Sequence, residues 1–213
     1  GTVVTGTLIS GSVAVGEEVE VTPAGLRARV RGLQVHNRAV QSAEAGQRTA
    51  VNLQGVERAA ISRGDLLAAP DALVTSRRFD CLYRHLAAAG RNLKNRTLVR
   101  IHTGTSEVMG RIILIDREEL KPGEEGFCQV VLAAPLAAVA GDRFVVRSSS
   151  PVTTIGGGEI LDPLPAKHKR SAGPAREEFP VLAGGDQEAR LAVVMARAGI
   201  DGIRESGLVV RTG

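Results

Sequence analysis

The residues with the widest chemical range in this sequence are a glycine run, four histidines, two cysteines and three knots of cationic side chains. Thr154-Ile155-Gly156-Gly157-Gly158-Glu159 has the backbone freedom of a phosphate cradle. Such a cradle also needs donors gathered at a helix N-terminus, usually with a lysine close by. Here a β-branched stretch precedes the glycines, Glu159-Ile160-Leu161 continues in strand fashion, and no Gly-Lys-Ser/Thr occurs anywhere. A β-bulge or close backbone approach at a barrel seam is the expected role. His36, His85, His102 and His168 are dispersed. Ser106 and Glu107 follow His102 closely, but adjacent side chains of a strand point to opposite faces and cannot form a local relay. With no Gly-x-Ser-x-Gly elbow, His-Glu-x-x-His or paired carboxylates, no catalytic residue is assigned. Cys81 and Cys128 have no further Cys or His at metal-ligand spacing, so buried thiols in a reducing cytoplasm, with no metal site, are expected.

The cations point more clearly. Arg27, Arg29 and Arg31 alternate, which places them on one face of one strand. Arg91, Lys94, Arg96 and Arg100 cluster just before and within another strand, and Lys167, His168, Lys169 and Arg170 form a third run. Together they suit a phosphate backbone. Each cluster taken singly is equally well a solvated face balanced by nearby glutamates. The formal charge of +4 and pI near 9.6 allow a polyanionic partner. All but four of the 27 Lys and Arg residues are arginine, whose planar donor fork matches phosphate, although a GC-rich genome would give the same bias.

The elements that must position these groups are mostly strands. The 213 residues leave room for two modest domains. With one tyrosine, four phenylalanines and no tryptophan, the core must come from Val, Leu, Ile and Ala. Short period-two runs separated by Gly-rich turns predict a mainly β protein of two consecutive antiparallel barrels, over residues 1–74 and 75–163. In the second, strands are expected at Phe79–Tyr83, Leu98–His102, Glu107–Ile115, Phe127–Leu132, Arg143–Arg147 and Thr154–Leu161, after a polar connector that includes Thr75–Arg78. Residues 164–175 read as a basic Pro/Gly linker. Beyond it, Asp186 is placed to cap a helix through Glu188–Ala196, and Ile203–Val210 suits another. This 176–213 segment has too little to bury a core alone and is expected to be a truncated unit. No window approaches the roughly twenty apolar residues of a membrane helix, and no cationic leader precedes an apolar run. The sequence opens inside a strand-like pattern without Met, as a piece of a longer protein would.

Several motifs combine in order. Gly1-Thr2-Val3-Val4-Thr5-Gly6, Ser10-Gly11-Ser12-Val13-Ala14-Val15-Gly16-Glu17-Glu18-Val19 and Arg63-Gly64-Asp65-Leu66-Leu67 resemble the second-domain barrel of translational GTPases such as elongation factor Tu. Arg29-Val30-Arg31-Gly32-Leu33-Gln34-Val35-His36, Ala45-Gly46-Gln47-Arg48, Arg143-Phe144-Val145-Val146-Arg147-Ser148, Thr154-Ile155-Gly156-Gly157-Gly158 and His168-Lys169-Arg170 resemble the bacterial selenocysteine-specific elongation factors (SelB). The resemblance covers about residues 1–170 and is looser from Arg176, where it is similar to a first winged-helix unit.

That resemblance implies a factor carrying selenocysteinyl-tRNA to the ribosome in a GTP-dependent manner. A GTP-binding domain would come first, then two barrels holding the acceptor arm and T stem, then winged helices that grip an mRNA hairpin. GTP and magnesium would belong to the first domain, which is missing from this sequence, so this chain would hold no cofactor and turn nothing over by itself. The strand before Gly1 and the mRNA-binding end are missing as well. The family's amino-acid pocket has an arginine facing the selenocysteine side chain, and Arg48 matches it. Arg91, Lys94, Arg96 and Arg100, with Arg27, Arg29 and Arg31 as second candidates, are then the expected RNA contacts. A cytoplasmic monomer with no membrane partner is expected. Two other readings stay open: the barrel pair of another translational GTPase binding ordinary aminoacyl- or initiator tRNA, and an interaction scaffold with no RNA role.

Overall fold

Alternation of apolar and polar residues produces strands through most of the chain. The computed structural model describes residues 1–115, 117–168, 173–199 and 202–212, with the backbone alone at 173–176. Two units divide it, Gly1–Ala72 and Leu73–Gly213.

The first unit holds β1 (Thr2–Thr7), β2 (Ser12–Ala14), β3 (Glu18–Thr22), β4 (Leu26–Val35), β5 (Arg38–Val40), β6 (Ser42–Glu44), β7 (Arg48–Gln54) and β8 (Leu66–Ala68). Hydrogen bonds join them in the order β1-β7-β4-β3-β8, with β5 added to β4 and β2 paired with β6. Every pairing is antiparallel. Val19, Val21, Ala28, Val30, Leu33, Val51 and Leu53 fill the inner face, and Val13 and Ala43 of the β2–β6 ribbon join the same core. The inward set of β4 changes parity between Val30 and Leu33 because the ladder to β7 shifts between Val30 and Gly32. One extra residue at such a bulge re-aims everything after it.

The second unit is a barrel closed by hydrogen bonds. Its strands are β9 (Thr75–His85), β10 (Leu93–Lys94), β11 (Leu98–Thr103), β12 (Ser106–Leu114), β13 (Glu119–Leu120), β14 (Glu125–Ala137), β15 (Arg143–Ser148) and β16 (Thr154–Asp162). The ring runs β11-β12-β14-β9-β16-β15, with β10 and β13 paired outside it. Phe79, Tyr83, Ile101, Ile112, Val130 and Val146 pack its interior, and Phe79 meets Phe144 edge to face at 5.2 Å. Cys81 and Cys128 stand opposite one another in this core as free, buried thiols. Thr75–Arg78, expected as a connector, instead begins β9: Thr75 and Ser76 pair with Ala137 and Leu136 beyond a bulge in β14. Backbone ladder bonds need no apolar side chain, so a polar segment extends the strand. The glycine run sits where β16 is squeezed between β9 and β15. A Cβ at Gly158 would overlap the Leu82 carbonyl, one at Gly156 the Tyr83 hydroxyl, and one at Gly157 would lie 2.5 Å from the Phe144 carbonyl.

Three helices follow, α1 (Gly173–Gly184), α2 (Gln187–Ala198) and α3 (Glu205–Thr212). Asp186 caps α2, its carboxylate accepting from the Ala189 N–H at 2.8 Å. These helices are no separate unit short of a core. Phe179, Leu182 and Val194 bury themselves against Ile115 and Leu161 of the barrel. The Pro/Gly stretch before them is only partly a free linker, since Pro163 and Pro165 are buried and His168 turns inward. Among the described residues no helix is long and apolar enough to cross a membrane.

Candidate nucleic-acid interface

The outer wall of the closed barrel follows from the parity of three strands. Val99 and Ile101, Gly110 and Ile112, and Phe144 and Val146 point inward and are buried. The residues between them must therefore face out: Leu98, Arg100 and His102 on β11, Glu107, Met109 and Arg111 on β12, and Arg143, Val145 and Arg147 on β15. Arg100 is paired in register with Arg147 across one edge of β11, and with Met109 across the other. His102 lies opposite Glu107 and Leu98 opposite Arg111. Two guanidiniums thus face each other directly on adjacent strands, an arrangement that by itself weakens a sheet.

Partial neutralisation comes from Glu107, which forms a short ion pair with Arg100 and lies 3.9 Å from His102 Nε2. The hydrogen bond from Arg100 holds the Glu107 carboxyl below the usual carboxylate range, and the charges of Arg100, His102 and Arg147 add to that pull. Arg143 is paired with Glu159 at 3.0 Å. Among the described residues Arg147 and Arg111 have no carboxylate partner, and the Nε atoms of Arg100 and Arg147 are buried with no hydrogen-bond acceptor. The wall therefore keeps an uncompensated positive charge, which is what a phosphate group matches.

The turn bearing Arg96 is tied to this wall. Arg96 adopts φ +66, in the left-handed region. Its N–H donates to the Ile112 carbonyl at 2.8 Å, and its carbonyl accepts from Arg111 Nη1 at 3.1 Å. Asn95 fixes the other side, accepting from the Leu114 N–H at 3.0 Å through Oδ1. Lys94 is exposed on β10, opposite Glu119 of β13. Arg91 is exposed, and its carbonyl accepts from the buried His85 Nε2 at 2.8 Å. A carbonyl only accepts, so Nε2 carries a proton, while the Tyr83 hydroxyl lies 3.1 Å from Nδ1 and donates to the Ile155 carbonyl at 3.2 Å. Burial holds the Tyr83 phenol far above its ordinary range, which keeps it a neutral donor. Tyr83 and His85 thus anchor, from inside the barrel, the start of the segment that carries the cations.

In the first unit Arg27, Arg29 and Arg31 are exposed along β4 as their alternation requires. They are not equivalent. Arg27 is engaged by Asp71 at 2.7 Å and Glu18 at 3.5 Å, Arg29 stands opposite Glu18 in the β3 ladder, and Arg31 falls at the β4 bulge. Arg48 is exposed at the start of β7, opposite Thr7 of β1. Among the described residues it forms no ion pair. The glutamate that ends β6, Glu44, is engaged through its backbone, its N–H donating to Gln47 Oε1 at 2.9 Å. Of the third cationic run, Lys167 is exposed while His168 is drawn into a contact with Asp80 at 2.6 Å, and Lys169 and Arg170 lie outside the described residues.

Spacing in the sequence points to Arg96 and Arg100 but not to Arg147, Arg111 or His85. Arg143 and Arg147 stand four apart around an apolar run, so a strand puts both on one face without the alternation that marks Arg27, Arg29 and Arg31. Which strand it lies beside is a long-range pairing that local pattern does not contain. No group of three or more metal-ligating side chains occurs among the described residues.

Comparison with known proteins separates the two units. Residues 1–68 match the family model for elongation factor Tu domain 2, and residues 81–167 match that for the beta-barrel domain of selenocysteine-specific elongation factor. A selenocysteine-specific elongation factor of Desulfomicrobium baculatum is 43% identical over 212 residues, which is 100% of this chain and 33% of that protein. The selenocysteine-specific elongation factor of Escherichia coli K12 is 34% identical over 76% of this chain and 24% of its own length, and elongation factor Tu 2 of Streptomyces avermitilis is 32% identical over 75% and 42%. A crystal structure of a bacterial selenocysteine-specific elongation factor, EF-Sec, superposes on 100% of the chain and 33% of its own with a TM-score of 0.81 and 26% identity. The chain thus spans about a third of the length of the first of these relatives, and the likeness runs through the helices as well as the barrels.

Proposed function

The chain belongs to the selenocysteine-specific elongation factor family, and on that premise we propose that it holds selenocysteinyl-tRNA for delivery to the ribosome. The observation that carries this reading is the in-register pair Arg100 and Arg147, whose mutual repulsion a phosphate lying across both would turn into attraction. A-form RNA shows a protein mainly its phosphates and a shallow groove, so recognition there is by charge and shape. A wall bearing Arg100, Arg147 and Arg111, flanked by Arg96, suits the side of an acceptor or T stem. Arg91 and Lys94 extend the positive surface on the segment that His85 anchors.

Arg48 has a separate role in this reading. A selenol is more acidic than a thiol, so selenocysteine is largely anionic at neutral pH, whereas serine on the same tRNA stays neutral. A permanently charged guanidinium with free donors favours the anion. The run Gly156-Gly157-Gly158 does not fit a nucleotide phosphate: it is embedded in strand β16, with neighbouring atoms where a cradled phosphate would need room. The chain's role in this reading is to hold the RNA and its amino acid, with no step passing through a nucleotide.

The test is the salt dependence of tRNA binding by the chain with Arg100→Ala and Arg147→Ala combined. The slope of log affinity against log salt should flatten by roughly 0.7–0.9 for each phosphate that is no longer neutralised. An unchanged slope would return the wall to a solvated face and favour the scaffold reading.

A further inference from the structure

On the far side of the second unit, β9 and β16 carry two carboxylates, Asp80 and Asp162, both wholly withdrawn from solvent. Asp80 accepts from Gln129 Nε2 at 2.9 Å, from His168 Nε2 at 2.6 Å and from Arg197 Nη1 at 3.0 Å. Asp162 accepts from Arg197 Nη1 at 2.7 Å, from Arg211 Nε and Nη2 at 2.9 and 2.7 Å, and from the Leu164 N–H at 3.0 Å. Arg197 Nε also reaches Glu178 of α1 at 2.8 Å. The division of labour is one-sided. Among the described residues the barrel strands supply the two fully buried acids and Gln129, α1 supplies Glu178, and every basic side chain comes from the chain beyond the strands: His168 before α1, Arg197 on α2 and Arg211 on α3. A buried carboxylate stripped of its cation is costly, so the barrel wall is built to be covered by these helices. Burial pushes the Asp80 carboxyl up, and His168, Arg197 and Gln129 pull against it.

Apolar and backbone contacts follow the same seam. Phe179 packs between Phe127 and His168, with ring centroids 5.2 and 5.6 Å away, and the Arg197 guanidinium lies 5.9 Å over it. The Ala140 N–H donates to the Val210 carbonyl of α3 at 2.8 Å. Helix α3 turns its one arginine, Arg211, inward and leaves Glu205 and Val209 outward, which is the wrong surface for phosphate.

We propose that this cluster is an electrostatic lock that makes α1, α2 and α3 a fixed mount on the barrel, with Arg197 as the positioning residue, rather than a module free to read nucleic acid. Arg197 bridges three carboxylates from both sides of the seam, so its loss leaves Glu178 without its cation, Asp162 with Arg211 alone and Asp80 with no guanidinium.

Native-state hydrogen exchange on the whole chain tests the lock. In the unaltered protein the slowest amides of α2 and α3 should open together with those of β9 and β16, at the same denaturant dependence. Arg197→Met should cut protection in α2 and α3 on the order of 100-fold, with β11 and β12 unchanged. Adding Asp80→Asn to that variant should restore about tenfold, because it removes the buried carboxylate that has lost its guanidinium; simple loss of packing would not be rescued this way. Should the methionine variant not fold, Arg197→Lys reads the same quantity, keeping the charge without the fork and losing about tenfold. Helices that open as a separate unit in the unaltered protein would overturn the proposal. So would unchanged protection in whichever Arg197 variant is read, or no rescue by Asp80→Asn.

Discussion

A guanidinium that faces solvent with no carboxylate paired to it among the described residues, as Arg48 does at the start of β7, is available to an anion from outside. In the full-length factor, Arg48→Ala should weaken binding of selenocysteinyl-tRNA by about 1.5–3 kcal/mol, the worth of one charged hydrogen bond, and leave seryl-tRNA nearly unchanged. Equal weakening of both, in a competition assay, would mean that Arg48 supports the barrel or the RNA instead. Glu107 gives the complementary case. Its carboxyl is held low chiefly by the Arg100 hydrogen bond. A depressed acid adds stability above its unfolded pKa, and that contribution disappears as pH falls through the folded value. An NMR titration should find the Glu107 midpoint below the ordinary carboxylate range and moving up towards it in Arg100→Ala; an unmoved midpoint would break the assignment. Glu107→Gln should also strengthen tRNA binding, because it frees Arg100 for phosphate, and a fall in affinity would count against the wall. Spacing marks neither Arg48 nor Glu107. Family resemblance singles out the first, and the second gains meaning only when β11, β12 and β15 are paired.

At the scale of elements, what is legible in the sequence is what is local. Period-two runs locate β11, β12, β15 and β16 to within a residue or two, and Asp186 announces α2. Helix α1 is hidden because Pro174 and Pro180 punctuate it, and proline reads as a breaker when only local pattern is weighed. What permits it there is the tertiary burial of Phe179 and Leu182. Likewise Thr75–Arg78 looks like a connector because its ladder partner lies about sixty residues away in β14. The glycine run illustrates the reverse, since a sequence suggestive of nucleotide chemistry serves strand packing. Gly158→Ala should therefore destabilise the chain by about 1–3 kcal/mol or more in chemical denaturation, as overpacking does. Gly6→Ala, where nothing lies within 4 Å of the new Cβ, should stay within about 0.5 kcal/mol. Equal stability of the two variants would contradict the squeezed geometry of β16.

At the scale of the whole molecule, the chain combines a positive barrel wall, the solvent-facing Arg48 in the first unit, and a helical mount that turns Arg197 and Arg211 inward. The net charge of +4 alone would attract any polyanion weakly. On the closed barrel and its helices, Arg143, Arg197 and Arg211 are engaged by carboxylates, while among the described residues Arg147 and Arg111 are not. The most direct test is titration of the chain with selenocysteinyl-tRNA across a range of salt concentrations. Three to four phosphate contacts predict a straight log–log plot with a slope of about −2 to −3.5. No binding at low salt, or binding whose affinity does not change with salt, would contradict recognition of the RNA by this wall.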